Sequence, residues 1–301
     1  MWVQRTRTTG ARAARAGLGA GFGVDEEELR DHVGWLSVRR HFRAQAAANA
    51  RIGERLAEEL ASLGFRTSIE GPFRNVVAVP ARAPDTPYTL VCAHYDSVPE
   101  APGADDNASG VAVALACARA LARAAPDAPV AFVAFNAEED GMAGSADFVA
   151  RLARGRGLRV REAHVLEMLG FTSRARGSQR APLPVPLPGV PDVGDFLGLL
   201  GAGPSNASVS ALIHTAEAAT PDLRVIGLKT YLGVDRLLPV LHRSDHSPFW
   251  KAGIPAVLWT DTAEFRNPNY HRATDLPGTL DYGFMRRVTE LLLASVAPAG
   301  A

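Results

Sequence analysis

YTLVCAHYDSVPEAPGADDNASGVAVALACARALARAAPDAPVAFVAFNAEEDG, residues 88–141, decides the fold. Tyr88 to Ala93 is an apolar run of strand length that ends on His94. Ala108 to Ala124 is alanine-rich and long enough for a helix. Val130 to Phe135 is a second apolar run, and it ends on the pair Glu138 and Glu139. Strand, helix and strand in this order predict two parallel strands with the helix packed across them.

The same alternation continues downstream. Ala146 to Leu152 reads as a helix, Ala163 to Leu166 as a strand ending on Glu167, and Asn206 to Ala219 as a helix after Pro204 and Ser205. Ile254 to Thr260 reads as a late strand and Tyr282 to Val296 as a closing helix. Upstream, DEEELRDHVGWL (25–36) carries its acids in the first turn, where the helix dipole favours them. Arg40 to Leu63 has apolar residues Ile52, Leu56, Leu60 and Leu63 at helical spacing, with Gly64 as the stop. Arg66 to Ile69 and Asn75 to Val79 form a hairpin around Glu70, Gly71 and Pro72. The proline-rich Arg180 to Phe196 is an extended surface loop. The expected architecture is α/β: a three-layer sandwich with a mostly parallel mixed central sheet and helices on both faces.

Composition narrows the function. At 47% apolar residues the 301-residue chain can build a substantial core. Its formal net charge is zero, and no basic stripe with interleaved aromatics appears, which argues against nucleic acid as a partner. No run approaches the roughly 18 apolar residues of a membrane span. Cys92 and Cys117, the two cysteines, read as buried free thiols. Residues 1–23 hold Arg5, Arg7, Arg12 and Arg15 and no acid; they are expected to be a disordered tail on a cytoplasmic protein, with residues 24–301 as one domain.

The chemistry lies at the strand ends. His94, the Glu138–Glu139 pair and Glu167 each follow a strand, and in open α/β sheets the functional crevice lies beyond the carboxyl ends of the strands. Histidines and carboxylates converging there could hold a pair of divalent metal ions. No Gly-x-Ser-x-Gly, His-Glu-x-x-His or phosphate-loop pattern competes.

Four segments carry a resemblance: HYDS (94–97), GADDNASG (103–110), NAEEDG (136–141) and the late SDHSPFWKAGIP with NPNYHRATD (244–255 and 267–275). In this order they resemble the M28 family of zinc peptidases, which includes bacterial aminopeptidases. The resemblance implies two co-catalytic metals, usually zinc. It makes His94 the first imidazole ligand, with Asp96 as the acceptor that orients it. Asp105 is implied to bridge both metals, with a cis peptide between Asp105 and Asp106, and Asp106 belongs to its surroundings. Glu139 is implied as a ligand and Glu138 as the general acid/base. Glu167 stands as a ligand where the family usually has aspartate. His271 is the last ligand; Asp245, His246 and Tyr270 line the pocket, and Asp275 fixes the local loop. Asp106 or Asn107 could also cap the following helix, and Asp245 the helix after it. Arg266 reads as a surface salt-bridge residue. His32, His41, His164, His214 and His242 have no motif around them and read as structural or exposed.

The expected activity is hydrolysis of a peptide or other amide bond near a free amino terminus. Two alternatives stay open: a glutaminyl cyclase-like aminoacyltransferase using one metal, and a non-catalytic binding module on the same fold.

Overall fold

The strand Tyr88–His94 (β4) is buried along its whole length, as an apolar run must be when both faces of a sheet are covered. Val91 and Ala93 point into one core and Leu90 and Cys92 into the other, which is the two-residue period of a strand. The computed structural model describes residues 1–6, 23–82, 84–181 and 189–298. Val130–Phe135 (β5) and Val160–Glu167 (β6) flank β4 and run parallel to it. Ala256–Thr260 (β9) runs parallel to β6. On one side the hairpin Arg66–Glu70 (β2) and Asn75–Val79 (β3) joins antiparallel to β5. On the other, Leu197–Ala202 (β7) lies antiparallel to β9, and Val225–Thr230 (β8) parallel to β7. Trp2–Arg5 (β1) closes that edge antiparallel to β8. The sheet is thus mixed, in the order β1-β8-β7-β9-β6-β4-β5-β3-β2, with β9, β6, β4 and β5 parallel at its centre and antiparallel pairs on both flanks.

Helices cover both faces. Glu26–Leu36 (α1), Ala46–Ser62 (α2), Gly110–Ala124 (α3), Ser205–Ala219 (α5) and Tyr282–Val296 (α7) bury their apolar stripes in one core. Ala143–Ala153 (α4) and His246–Lys251 (α6) contribute Phe148 and Phe249 to the other. Each such side chain adds about 1.5–3 kcal/mol when removed from water. Asp25 caps α1 by accepting from the Glu27 amide at 3.0 Å, and Asp281 caps α7 by accepting from Phe284 at 2.8 Å. At the strands, α5 lies so close that a Cβ on Gly201 or Gly227 would fall within 2.7 Å of the Val209 side chain.

Three expectations change. The helix read over Arg40–Leu63 begins only at Ala46; Arg40 instead turns its guanidinium to the loop from Tyr95 to Gly103. Trp2–Arg5 is not tail but an edge strand; residues 7–22 of the expected tail, and 182–188 of the proline-rich loop, lie outside the described residues. Strands β7 and β8 went unread, since LGLLGA and VIGLKT carry glycines that weaken a strand signal.

Candidate metal centre

Three neighbouring strands deliver the centre. β4 ends on His94, β5 runs into the turn holding Glu138 and Glu139, and β6 ends on Glu167. Two loops from elsewhere add Asp106 and His271. The Asp106 carboxylate stands in the middle: its Oδ1 lies 3.2 Å from His94 Nε2 and its Oδ2 3.1 Å from His271 Nε2. On the His94 side Glu167 Oε1 is 3.4 Å from His94 Nε2. On the His271 side Glu139 Oε2 is 3.3 Å from His271 Nε2. Two donor sets result, His94–Asp106–Glu167 and Asp106–Glu139–His271, sharing Asp106.

The spacing fits cations better than hydrogen bonds. Tetrahedral ligands held about 2.0–2.1 Å from zinc are separated by roughly 3.3 Å. A charged N–H···O bond would be about 2.7–2.9 Å, and one Nε2 proton cannot serve two carboxylates. Glu139 Oε1 is buried with no hydrogen-bond partner. The charge balance points the same way: Asp106, Glu138, Glu139 and Glu167 face two imidazoles, and buried charge of one sign requires compensation. Burial alone would push the His94 imidazole down, but Glu167, Asp106 and Asp96 hold its pKa well above the ordinary value. Burial, then Asp106, raises Glu139 to about 7 against the opposing pull of His271. Glu138 is pushed well up, chiefly by burial and then by Glu167, Asp245 and Glu139 against the pull of His94. Its carboxylate takes no hydrogen bond from the described residues and faces the cavity.

A second layer of polar contacts aims these groups. Asp96, fully buried, accepts from the Glu138 and Glu139 amides at 3.2 Å each and lies 3.3 Å from His94 Nδ1. This fixes the imidazole with Nε2 towards the centre. Ser244 donates to Glu167 Oε2 at 2.6 Å. Asp275 accepts from the Asp105 and Asp106 amides at 2.8 and 3.1 Å, so it holds this distant loop rather than its own. Arg40, fully buried, donates to the carbonyls of Tyr95, Val38, Pro102 and Gly103, clamping the loop that links His94 to Asp106. Sequence reasoning missed Arg40, which no local pattern marks, and passed over Ser244 although it opens the SDHSPFWKAGIP segment. Ala137, Met168 and His271 have φ of 55°, 51° and 57°. Left-handed backbone is unusual outside glycine and clusters at functional sites; here it sits beside Glu138, beside Glu167 and at His271 itself.

Asp105 is the main correction. Its carboxylate turns away from the centre and accepts from the Gly170 amide at 2.8 Å and Asn267 Nδ2 at 2.6 Å. Asp106 takes the bridging place, and the cis peptide is Asp106–Asn107 rather than Asp105–Asp106. Asn107 Oδ1 accepts from the Gly110 amide at 3.2 Å, three residues on, so Asn107 performs the capping expected at the start of α3. Asp245 stands before α6 but does not cap it; Ser145 donates to it at 2.5 Å, and burial raises it to about 7. His246 donates from Nε2 to the Leu241 carbonyl at 2.8 Å and lines the cavity. Tyr270 stacks on His271 with ring centroids 3.8 Å apart. Arg266 is not on the surface: it is buried, bonds Gln179 Oε1 at 3.0 Å and lies 4.5 Å over the Phe196 ring. His164 is buried against Trp259, His214 is exposed, and neither joins the centre. Ser247, His242 and Asp235 line up at 2.9 and 3.4 Å, but Ser247 is fully buried and cannot meet a substrate.

A cavity of about 180 Å³ opens beside the two donor sets. Asp106, Glu138, Glu167 and His271 form its polar end, and Phe196, Leu200, Leu228 and Leu258 are among its apolar walls. An apolar pocket ending in convergent polar groups is the usual form of a small-molecule site.

Comparison with known proteins identifies the family and the fold. The model of "Peptidase family M28" matches residues 75–185 and 201–296. The uncharacterized protein YfbL of Escherichia coli is 34% identical over 286 residues, covering 88% of this chain and 85% of that one. The structure of BSAP, a zinc aminopeptidase from Bacillus subtilis, superimposes with a TM-score of 0.52 at 27% identity, over 74% of this chain and 49% of that one. The chain therefore spans about half the length of that aminopeptidase. The LapA aminopeptidase of Legionella pneumophila shares the fold, with a TM-score of 0.70 at 16% identity over 96% of this chain and 76% of that one. With the family model covering most of the sheet and both donor sets, the chain belongs to peptidase family M28.

Proposed function

We propose that this chain is a zinc-dependent aminopeptidase that hydrolyses the amide bond after an N-terminal residue. The observation that carries the reading is the pair of donor sets sharing Asp106, with Glu138 free beside them. His94 and Glu167 would hold one zinc ion, His271 and Glu139 the other, and Asp106 both. Bound there, the ions would polarise the scissile carbonyl and lower the pKa of a water from about 15.7 towards 7.

The protein's own groups do the rest. Glu138 accepts a proton from the attacking water at its carboxylate, which faces the cavity beside both donor sets. Water oxygen bonds to the carbonyl carbon, the C–N bond breaks, and Glu138 returns the proton to the leaving nitrogen. Asp96 keeps the Glu138–Glu139 backbone and the His94 ring in register throughout. The apolar walls hold the acyl side of the substrate and exclude bulk water. The second donor set favours this reading over a one-metal cyclase. An N-terminal glutamine peptide separates the two: the peptidase releases free glutamine, and the cyclase releases ammonia with ring closure.

Glu138→Gln tests the assignment. It keeps shape and zinc content but loses about 10²–10⁴-fold in kcat on leucyl anilide, the usual worth of a general base. Near-wild-type turnover with full zinc would remove Glu138 from the role.

A further inference from the structure

Arg243 stands beside the metal centre without belonging to it. It lines the cavity. Its neighbour in the chain, Ser244, donates to Glu167 of the first donor set at 2.6 Å. Its own Nη2 lies 3.4 Å from the Tyr270 hydroxyl, and the Tyr270 ring stacks on His271 of the second set. Arg243 is thus tied to both sets. Its side chain is 49% exposed, whereas Leu200 and Leu258 on the apolar walls are buried. The arginine therefore marks the mouth of the cavity and the leucines its closed end.

A guanidinium carries five N–H donors. Among the described residues Arg243 uses one on the Glu264 carboxylate and one on Tyr270, and its Nε has no partner. Three donors stay free for a ligand. Glu264 also accepts from Arg180 at its backbone carbonyl, so two guanidiniums surround one carboxylate and the mouth carries excess positive charge. A guanidinium with free donors pairs best with a planar carboxylate, which it can grip through two N–H groups. The scissile amide fixes which carboxylate this is. With the acyl side at the apolar end, the leaving residue points to the mouth. In a dipeptide the carboxylate carbon of that residue lies two bonds past the leaving nitrogen, about 2.5 Å away. A C-terminal amide puts a neutral group there, and a third residue moves the charge outward by about 3.5 Å.

We infer that Arg243 binds the free carboxylate of the leaving residue, making dipeptides the preferred substrate class of this centre. This rests on the aminopeptidase reading above, and the test separates the two. Zinc-loaded Glu138→Gln protein, slowed in turnover, is titrated by calorimetry with leucylglycine, leucylglycinamide and leucylglycylglycine. Leucylglycine should bind about ten-fold more tightly than either, the lower end of what a hydrogen bond to a charged group contributes, since Arg243 is half-exposed. Arg243→Met in the same background should bring the three ligands within about two-fold of one another, and Arg243→Lys should retain part of the preference. A purely structural Arg243 would weaken all three alike and leave their ratios unchanged. Equal binding of the acid and the amide, a tripeptide held as tightly as the dipeptide, or a preference that survives Arg243→Met because the carboxylate sits on zinc instead, overturns the inference. A preference lost in Arg243→Met, in a protein whose unsubstituted form cleaves neither leucylglycine nor leucyl anilide, upholds the carboxylate site and overturns the aminopeptidase reading instead.

Discussion

Replacing Asp96 by asparagine should loosen the centre without touching a zinc donor. One Asp96 oxygen accepts from the Glu138 amide and lies 3.3 Å from His94 Nδ1, while the other accepts from the Glu139 amide. The carboxylate is fully buried, so no water replaces a lost contact. Asparagine keeps one acceptor and turns an NH₂ towards a donor, which leaves one buried N–H unpaired at a cost of about 1–3 kcal/mol. The remaining bonds lose their charge assistance, roughly half their strength. Loss of a carboxylate behind a ligating histidine typically costs about 10–100-fold in metal affinity or activity, which converts to about 1.4–2.7 kcal/mol. The two routes agree, so Asp96→Asn should bind zinc 10–100-fold more weakly and destabilise the fold by about 2 kcal/mol. Chelator competition reads the first effect, and hydrogen exchange at the Glu138 and Glu139 amides localises the second. Zinc affinity within two-fold of wild type, with unchanged exchange at both amides, would refute the reasoning.

The neighbouring acids separate ligand from scaffold: Asp106→Asn should abolish binding of the second zinc equivalent and activity together. Asp105→Asn should mainly lower thermal stability, through the contacts to Gly170 and Asn267, and equal zinc loss in both variants would contradict the placement of Asp106. His164 provides a pH signature away from the centre: burial, aided by Arg161 and opposed by Glu162, pushes it down to about 4, and its Nδ1 accepts from Trp259 Nε1 at 3.1 Å. The unfolded chain takes up this proton near 6.5 and the folded one only near 4, so the contribution is intact above 6.5 and lost as pH falls to 4, about 3 kcal/mol in all. His164→Gln, which keeps an acceptor for Trp259, should flatten the pH dependence of the urea midpoint across that window; an unchanged slope would show that His164 does not drive it.

Much of the protein is written in local pattern. The apolar runs of β4 and β5, the closing helix α7 and the order of elements follow from periods of two and 3.6 residues, which are properties of short stretches of chain. His94, the glutamate pair and Glu167 were legible for the same reason, since each lies at or just past the end of a strand and strand ends converge. Tertiary structure alone decided between Asp105 and Asp106. Adjacent side chains in a turn point in different directions, and here that direction is set by Asp275, 169 residues away from Asp106, and by Asn267, which holds the Asp105 carboxylate aside. Arg40 became a buried clamp because three carbonyls of one distant loop, those of Tyr95, Pro102 and Gly103, converge on its guanidinium. No window along the sequence contains that information; it exists only once the sheet has brought those segments together.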